Sequence, residues 1–312
     1  MTEDWPERFL RKTEMLKTDN MRGALLMMLS MAAFTLNDTL IKTVAGDVPL
    51  FQAVFLRGLL TTAMIVAIAA SRGAFRVRIT APDWRTIGLR TVGEIGSTVF
   101  YLVALFHMKI GSVIAILQSL PLAITLAGAL FFHERVGWRR YLAIMTGFFG
   151  VMLIVQPGTT GFNGYSVLAL LAVVFVVLRD LATRGLSDAV PSILVALSAS
   201  VSVTVLGAGG TLVEGWQPVD SQALIALVGA AVFIVAGYMF AVMVMRVGDI
   251  AFVSTFRYTA LLWGLILGFA VFGEIPDGLT ALGSLVVVGM GVFTLYRERQ
   301  IAKSAVANQR GC

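Results

Sequence analysis

Charge is what this sequence has least of. Only 13% of its 312 residues are Asp, Glu, Lys or Arg, while 58% are hydrophobic. A soluble domain carries roughly a quarter charged residues. This chain could not cover its surface in water, so the solvent for most of it must be lipid. The single cysteine, Cys312, excludes a disulfide framework. The two histidines, His107 and His133, sit at the ends of apolar runs and form no metal-ligand cluster. No HExxH helix, nucleophile elbow or P-loop occurs. These absences leave no catalytic residue, cofactor or metal to name. They also exclude direct use of ATP, so no ATPase subunit is required and any energy must come from gradients. The net charge is +6. Its basic residues fall in short connectors between apolar runs instead of forming a patch for nucleic acid, which is excluded as a partner.

What is present is hydrophobic length. A bilayer core needs roughly 20 apolar residues per helix. Ten runs qualify: 22–42, 50–71, 84–107, 110–132, 138–156, 164–183, 191–213, 222–245, 249–272 and 278–296. Lys and Arg gather in alternate connectors, at Arg72, Arg76, Arg78 and Arg85, then Arg135, Arg139 and Arg140, and in both tails. The connectors at 157–163, 214–221 and 273–277 hold none. By the positive-inside rule both termini are cytoplasmic. Residues 1–21 and 297–312 are expected to be cytoplasmic tails. The first carries Trp5, Phe9 and Leu10 among mixed charges, so it either lies on the membrane surface or is a disordered tail. The basic loops suit anionic lipid.

The chain is also written twice. FTLNDTLIKTVAGDVP (34–49) and FVVLRDLATRGLSDAVP (175–191) share Asp, a basic residue four later, and Val-Pro. Further on, Tyr101, Met108, Lys109 and Gly111 match Tyr238, Met245, Arg246 and Gly248, and Glu134 matches Glu274. Each match is offset by about 140 residues. The reading is an all-α membrane protein with two five-helix repeats, 22–156 and 164–296. Five is odd, so the second copy enters the membrane from the other side and the repeats are inverted. Asp38 and Lys42 then lie near the outer face, and Asp180 and Arg184 near the inner one. Glu134 is cytoplasmic and Glu274 external.

This arrangement resembles the drug/metabolite transporter superfamily, in its EamA-domain branch. The stretches that carry the resemblance are FTLNDTLIK (34–42), GSVIAILQSLPLAITLAGALFFHERVGWRRYLAIMTGFFGVMLIVQPG (111–158) and GDIAFVSTFRYTALLWGLILGFAVFGEIPD (248–277). It spans about residues 22–297 and is specific for fold and broad class. It implies a secondary transporter in the bacterial inner membrane that moves a small organic metabolite by alternating access. The wording of the chain looks most like the proteobacterial subgroup of riboflavin and S-adenosylmethionine uptake carriers. Export of amino acids, related metabolites or drugs is the alternative. One departure is Tyr258, which stands where the first half has Pro121.

Charges inside lipid are costly, by about 2.5–3.5 kcal/mol each on insertion scales, so each needs a reason. Arg57 lies inside the second run, where its counterpart in the other half is Ala199. Arg90 and Glu94 are four apart on one helix face and either pair with each other or face a cavity. Arg257 lies inside the ninth run. These four, with Tyr101, Gln118 and Tyr258, are the candidate substrate-binding residues, arginine being suited to carboxylate or phosphate. Glu94 and Asp38 are the candidates for proton coupling. Burial favours a neutral carboxyl, and the neighbouring Arg90 opposes that. Asp38 with Lys42, and Asp180 with Arg184, form one-face pairs that either anchor helix ends or gate the two ends of the pathway. Pro121 is expected to free a carbonyl in mid-membrane. Gly147/Gly150 and Gly264/Gly268 suit close helix contact, and the helices they join are not specified, so oligomeric state stays open. An integral-membrane lipid-modifying enzyme would want His, Asp or Glu clustered at one interface, and none is present.

Overall fold

The structure is a computed structural model that describes residues 5–77, 79–131, 137–159, 162–187, 189–244 and 253–310, with side chains described within 19–297. Among these residues every regular element is helical. In chain order they are α1 (Trp5–Thr43), α2 (Leu50–Ser71), α3 (Ala81–His107), α4 (Ile110–Leu117), α5 (Leu120–Phe131), α6 (Trp138–Val155), α7 (Tyr165–Arg184), α8 (Ser192–Glu214), α9 (Ser221–Val244), α10 (Thr259–Phe272) and α11 (Gly278–Arg310). Short 3-10 turns at Ala74–Arg76 and Ser254–Tyr258 precede α3 and α10. Among the described residues eight segments are long and apolar enough to cross a membrane, and shorter apolar helices lie at Tyr141–Val155 and Gly278–Thr294.

The helix ends follow local chemistry. Pro49 and Pro191 precede α2 and α8 with extended backbone, as expected of a ring that fixes φ and cannot continue a helix. Thr80 caps α3 by accepting from the Asp83 amide, and its hydroxyl donates to the Asp83 carboxylate at 2.7 Å. At α11, Asp277 accepts from the Thr280 amide at 2.8 Å, the Thr280 hydroxyl at 2.9 Å and the Gln156 amide at 2.8 Å. Partial burial pushes the Asp277 carboxyl up, but the hydrogen bonds from Thr280 outweigh it and hold it below the usual carboxylate range.

The packing pairs helices across the two halves. α1 lies on α9, α3 on α7, α2 on α8, and α6 on α11. α1 also meets α10, while α7 meets α4 and α5; α2 meets α9, while α8 meets α3; and α4 meets α10. Exchange each helix of the first half with its counterpart in the second, and this set of neighbours maps onto itself. The buried core (Ile41, Leu105, Ile110, Ile116 and Leu227 among its largest members) lies where these pairs meet.

Several expected boundaries change. The span expected at 110–132 is two helices, broken at Gln118–Ser119. Pro121 falls in the first turn of α5, where a missing N–H costs no helical bond. The Pro121 carbonyl itself accepts from the Thr125 hydroxyl at 2.8 Å. The first helix begins at Trp5 instead of residue 22. The last helix runs on to Arg310 instead of stopping at 296. In both places helix-compatible polar residues extend an apolar helix without a breaker. The ninth span opens with the 3-10 turn Ser254–Tyr258. Its first residues, with Glu134, Met245, Arg246 and Gly248, lie outside the described residues. The glycines serve contacts within the chain. A Cβ on Gly150 would sit 2.9 Å from the Gly283 carbonyl of α11, and one on Gly264 would sit 2.6 Å from Ile114 of α4.

Candidate functional site

Ionisable side chains that sequence places inside the spans meet where the two halves face each other. α2 carries Arg57 and Thr61, α3 carries Arg90, Glu94 and Tyr101, α7 carries Arg179 and Asp180, and α1 carries Asn37 and Asp38. Of these helices α2 and α3, together with α8 and α9, line a cavity of about 70 Å³, whose polar lining is Arg57, Thr61, Glu94, Thr98, Ser200 and Tyr238. Such a volume holds about two waters. A metabolite needs more room than this. Ala199 lines the same cavity. The two halves thus differ here by an arginine on one side and a methyl group on the other, which leaves the Arg57 side chain its room.

The charges are connected by hydrogen bonds. Tyr101 donates to Asp38 Oδ2 at 2.5 Å, and Asn37 donates to Asp38 Oδ1 at 2.9 Å. Arg57 Nη1 donates to Asn37 Oδ1 at 3.2 Å, so Asn37 links the arginine to the aspartate. Deeper along α3, Glu94 Oε2 lies 3.3 Å from Arg90 Nη2, and Glu94 Oε1 lies 3.7 Å from Arg179 Nη1. Arg179 Nε reaches Asp180 at 2.9 Å, and Arg90 Nε donates to the Thr183 hydroxyl at 3.1 Å. Glu94 Oε2 is in charge contact with Arg90 but poorly aligned for a hydrogen bond, and it counts among the buried atoms that accept none. The aromatic ring of Tyr238 meets Phe34 edge-on at 5.3 Å, and Phe100 tilts against Phe175 at 5.4 Å.

A second polar group forms around Lys42. Lys42 bonds Glu274 at 2.6 Å, donates to the Met108 carbonyl and lies 5.0 Å over the Phe272 ring. The other oxygen of Glu274 accepts from the Ile110 amide at 2.7 Å. A carboxylate there satisfies an amide at the start of α4 and suits the positive end of the helix. Lys109 donates to the Ile275 carbonyl at 2.7 Å. The contact ties α1, the start of α4 and the end of α10 together.

The sequence expectations meet this geometry unevenly. Arg90 and Glu94 pair as their spacing implies, with Arg57, Glu94 and Tyr238 on one cavity. Asp38 and Lys42 do not pair with each other: Asp38 turns to Tyr101 and Asn37, and Lys42 to Glu274. Asp180 is engaged by its neighbour Arg179. Gln118 donates to the Arg257 carbonyl at 3.4 Å, away from the cavity. Arg257 is exposed on the Ser254–Tyr258 turn, and Tyr258 is buried beside a wider groove of about 520 Å³ between α10 and α11. A further groove of about 640 Å³ lies between α3 and α8. Both are larger than the polar cavity, but no charged residue lines either one. The size ranking therefore does not follow the chemistry. Arg179, Asn37 and Thr61 were missed by sequence reading. Arg179 stands inside an expected span, so the cost argument applied to Arg57 would have found it. Asn37 and Thr61 carry no charge and leave no comparable signal.

Close helix approach builds the site. A Cβ on Gly93 would lie 2.8 Å from the Arg179 backbone nitrogen, so α3 and α7 meet at this distance only over glycine. Gly93→Ala is expected to push α7 outward, lower thermal stability by about 1–3 kcal/mol and cut transport at least tenfold. Unfolding in detergent and uptake in the same preparation measure both, and wild-type values in each would remove this account of Gly93.

Residues 21–156 match the EamA-like transporter family. Relatives of the chain align along most of its length. The riboflavin transporter of Vibrio cholerae is 26% identical over 75% of this chain and 86% of its own. The pseudopaline exporter of Pseudomonas aeruginosa is 23% identical over 85% and 93%. The S-adenosylmethionine uptake transporter of Rickettsia prowazekii is 20% identical over 93% and 97%. A crystal structure of another protein shares the fold, with a TM-score of 0.59 and 22% identity over 88% of this chain and 98% of that one. The match over residues 21–156, the relatives named as transporters and the candidate spans are all consistent with a multi-pass membrane transporter.

Proposed function

We propose that this protein is a secondary transporter of the inner membrane that moves a small organic metabolite by alternating access. One observation carries the reading: acidic and basic side chains from both halves, costly in lipid, join in one cluster through Glu94, which with Arg57 also lines a cavity. The ten expected helices form two inverted repeats with both ends cytoplasmic, a reading supported by the charge alternation and by helix pairing that survives exchange of the halves. Lys42–Glu274 then closes the outer end. Arg184 and Glu134 stand at the matching places in the sequence for the inner end. Arg57, Glu94 and Tyr238 face the cargo, while Asp38 and Glu94 are the carboxylates that a coupling proton would use. Uptake of a riboflavin-like or S-adenosylmethionine-like metabolite is favoured by the resemblance to the Vibrio and Rickettsia carriers. Export is the second reading, favoured by the resemblance to the Pseudomonas exporter.

The test is transport of labelled riboflavin, S-adenosylmethionine and a mixed amino-acid panel by cells expressing the chain, run as uptake and as efflux from preloaded cells. Saturable movement of one compound is expected, reduced at least tenfold by Arg57→Ala because the buried partners Asn37 and Asp38 lose their cation. Movement of no compound in either direction would sink the proposal. A rate independent of pH with the membrane potential clamped would remove proton coupling alone.

A further inference from the structure

The cavity carries information about its cargo, provided the carrier reading above holds. Buried threonines in this protein mostly turn their hydroxyls back onto their own helix: Thr35 bonds the Met31 carbonyl, Thr39 the Thr35 carbonyl, and Thr211 the Gly207 carbonyl, at 2.7–2.8 Å. Thr61 does not. Its hydroxyl is buried, lines the cavity and has no hydrogen-bond partner. Glu94 lines the same cavity, and its Oε2, in charge contact with Arg90 at 3.3 Å, accepts no hydrogen bond either. Both residues are more than nine-tenths buried. Arg57 forms the third side and spends one guanidinium N–H on Asn37, out of the five such a group offers. An acceptor, a hydroxyl and a cationic donor are therefore presented together.

The formal charges of this interior cluster cancel. Asp38, Glu94 and Asp180 supply three negative charges, and Arg57, Arg90 and Arg179 supply three positive ones. At the outer end Lys42 and Glu274 neutralise each other. Arg257 is exposed and outside the cluster. With Asp38 and Glu94 both ionised and no coupling proton bound, a cargo with net charge entering this site would leave one charge uncompensated in a low-dielectric interior. A cargo of zero net charge exchanges hydrogen bonds without that penalty.

We infer that the cavity selects a molecule of zero net charge that presents an N–H donor to Glu94 and an adjacent acceptor to Arg57, with Thr61 bonding between them. A cyclic imide edge and an amino-acid zwitterion both meet this description.

The experiment uses the full-length protein in liposomes and the labelled panel above, extended with glutamine, lysine and glutamate, which share one zwitterionic head and differ in net charge. Neutral members, riboflavin or glutamine, are expected to move, while lysine, glutamate and the cationic S-adenosylmethionine are not. Transport confined to charged members overturns this inference and leaves the carrier reading standing. Transport of nothing in either direction removes both. Thr61→Val tests the contact without risk to the fold, because an unpaired hydroxyl is replaced by a methyl of the same shape. It is expected to raise KM about 3- to 10-fold with kcat unchanged, the worth of one hydrogen bond, and an unchanged KM overturns the assignment. Glu94→Gln raises the interior charge by one and is expected to increase transport of glutamate relative to glutamine at least tenfold; an unmoved ratio in folded protein also overturns it.

Discussion

Replacing Arg179 by alanine is expected to reduce transport to background and to lower stability by about 2–3 kcal/mol. Arg179 lies between two carboxylates, 3.7 Å from Glu94 and 2.9 Å from Asp180. Removing it leaves Glu94 with Arg90 alone and Asp180 without its nearest cation. Breaking a buried pair costs about 3–5 kcal/mol. Partial exposure of Arg179 sets the expectation at or below the lower end of that range. Arg179→Lys keeps the charge but loses the fork that spans both acids. It should therefore recover stability more than transport. Thermal unfolding in detergent and initial uptake rates separate the two effects. Gly93→Ala displaces the same arginine through its backbone, so the double variant should fall well short of the sum of the singles. Strict additivity would mean that Gly93 and Arg179 act on separate parts of the protein. Wild-type uptake in Arg179→Ala would remove the ion cluster from the transport pathway.

The second expected result concerns the outer end. Glu274→Gln keeps an oxygen for the Ile110 amide but loses the charge that holds Lys42, and Lys42→Met removes the same bond from the other side. A charge-assisted hydrogen bond is worth about 1.5–3 kcal/mol. Its loss should therefore raise the population of the state open at this end by about 10- to 100-fold. The chain has one cysteine, Cys312, so Cys312→Ser gives a background free of thiols. Ser112 lies beside Glu274 in a small cleft next to the latch, which makes Ser112→Cys a suitable reporter. A membrane-impermeant maleimide added to intact cells should label it at least tenfold faster in either variant, while transport falls. The charge swap Lys42→Glu with Glu274→Lys should not rescue, because a lysine at 274 cannot accept the Ile110 amide and repels the positive helix end. Unchanged labelling in both single variants would show that the contact only anchors α1.

The two predictions differ in how much of their basis was legible beforehand. Lys42 and Glu274 were each visible in the sequence, the first as half of a repeated Asp-x-x-x-Lys motif and the second as a repeat match. Spacing paired Lys42 with Asp38, four residues away on the same helix face. Tertiary structure decided otherwise, because Glu274 comes from the end of α10 and Tyr101 claims Asp38 from α3. Spacing within one helix reports only which groups share a face. Which partner wins depends on the helix packed against that face, more than 200 residues away for Lys42.

The same limit explains the break in the fourth span. Apolar length alone marks 110–132 as one helix, since hydropathy is insensitive to whether backbone bonds run unbroken. The turn at Gln118–Ser119 places Pro121 in a first turn, where its geometry is favourable. By itself the sequence determined the solvent, the helical class and the family resemblance, because these follow from apolar length, scarcity of charge and stretches of local wording. The cost of charge in lipid marked Arg57, Arg90 and Glu94 as residues needing a reason. Only the tertiary structure decided what that reason is: α1, α2, α3 and α7 bring three acids and three bases into one cluster, with the Thr61 hydroxyl and Glu94 Oε2 left without a hydrogen bond in residues that line the cavity. That arrangement depends on contacts between residues far apart in the chain, which no local pattern encodes.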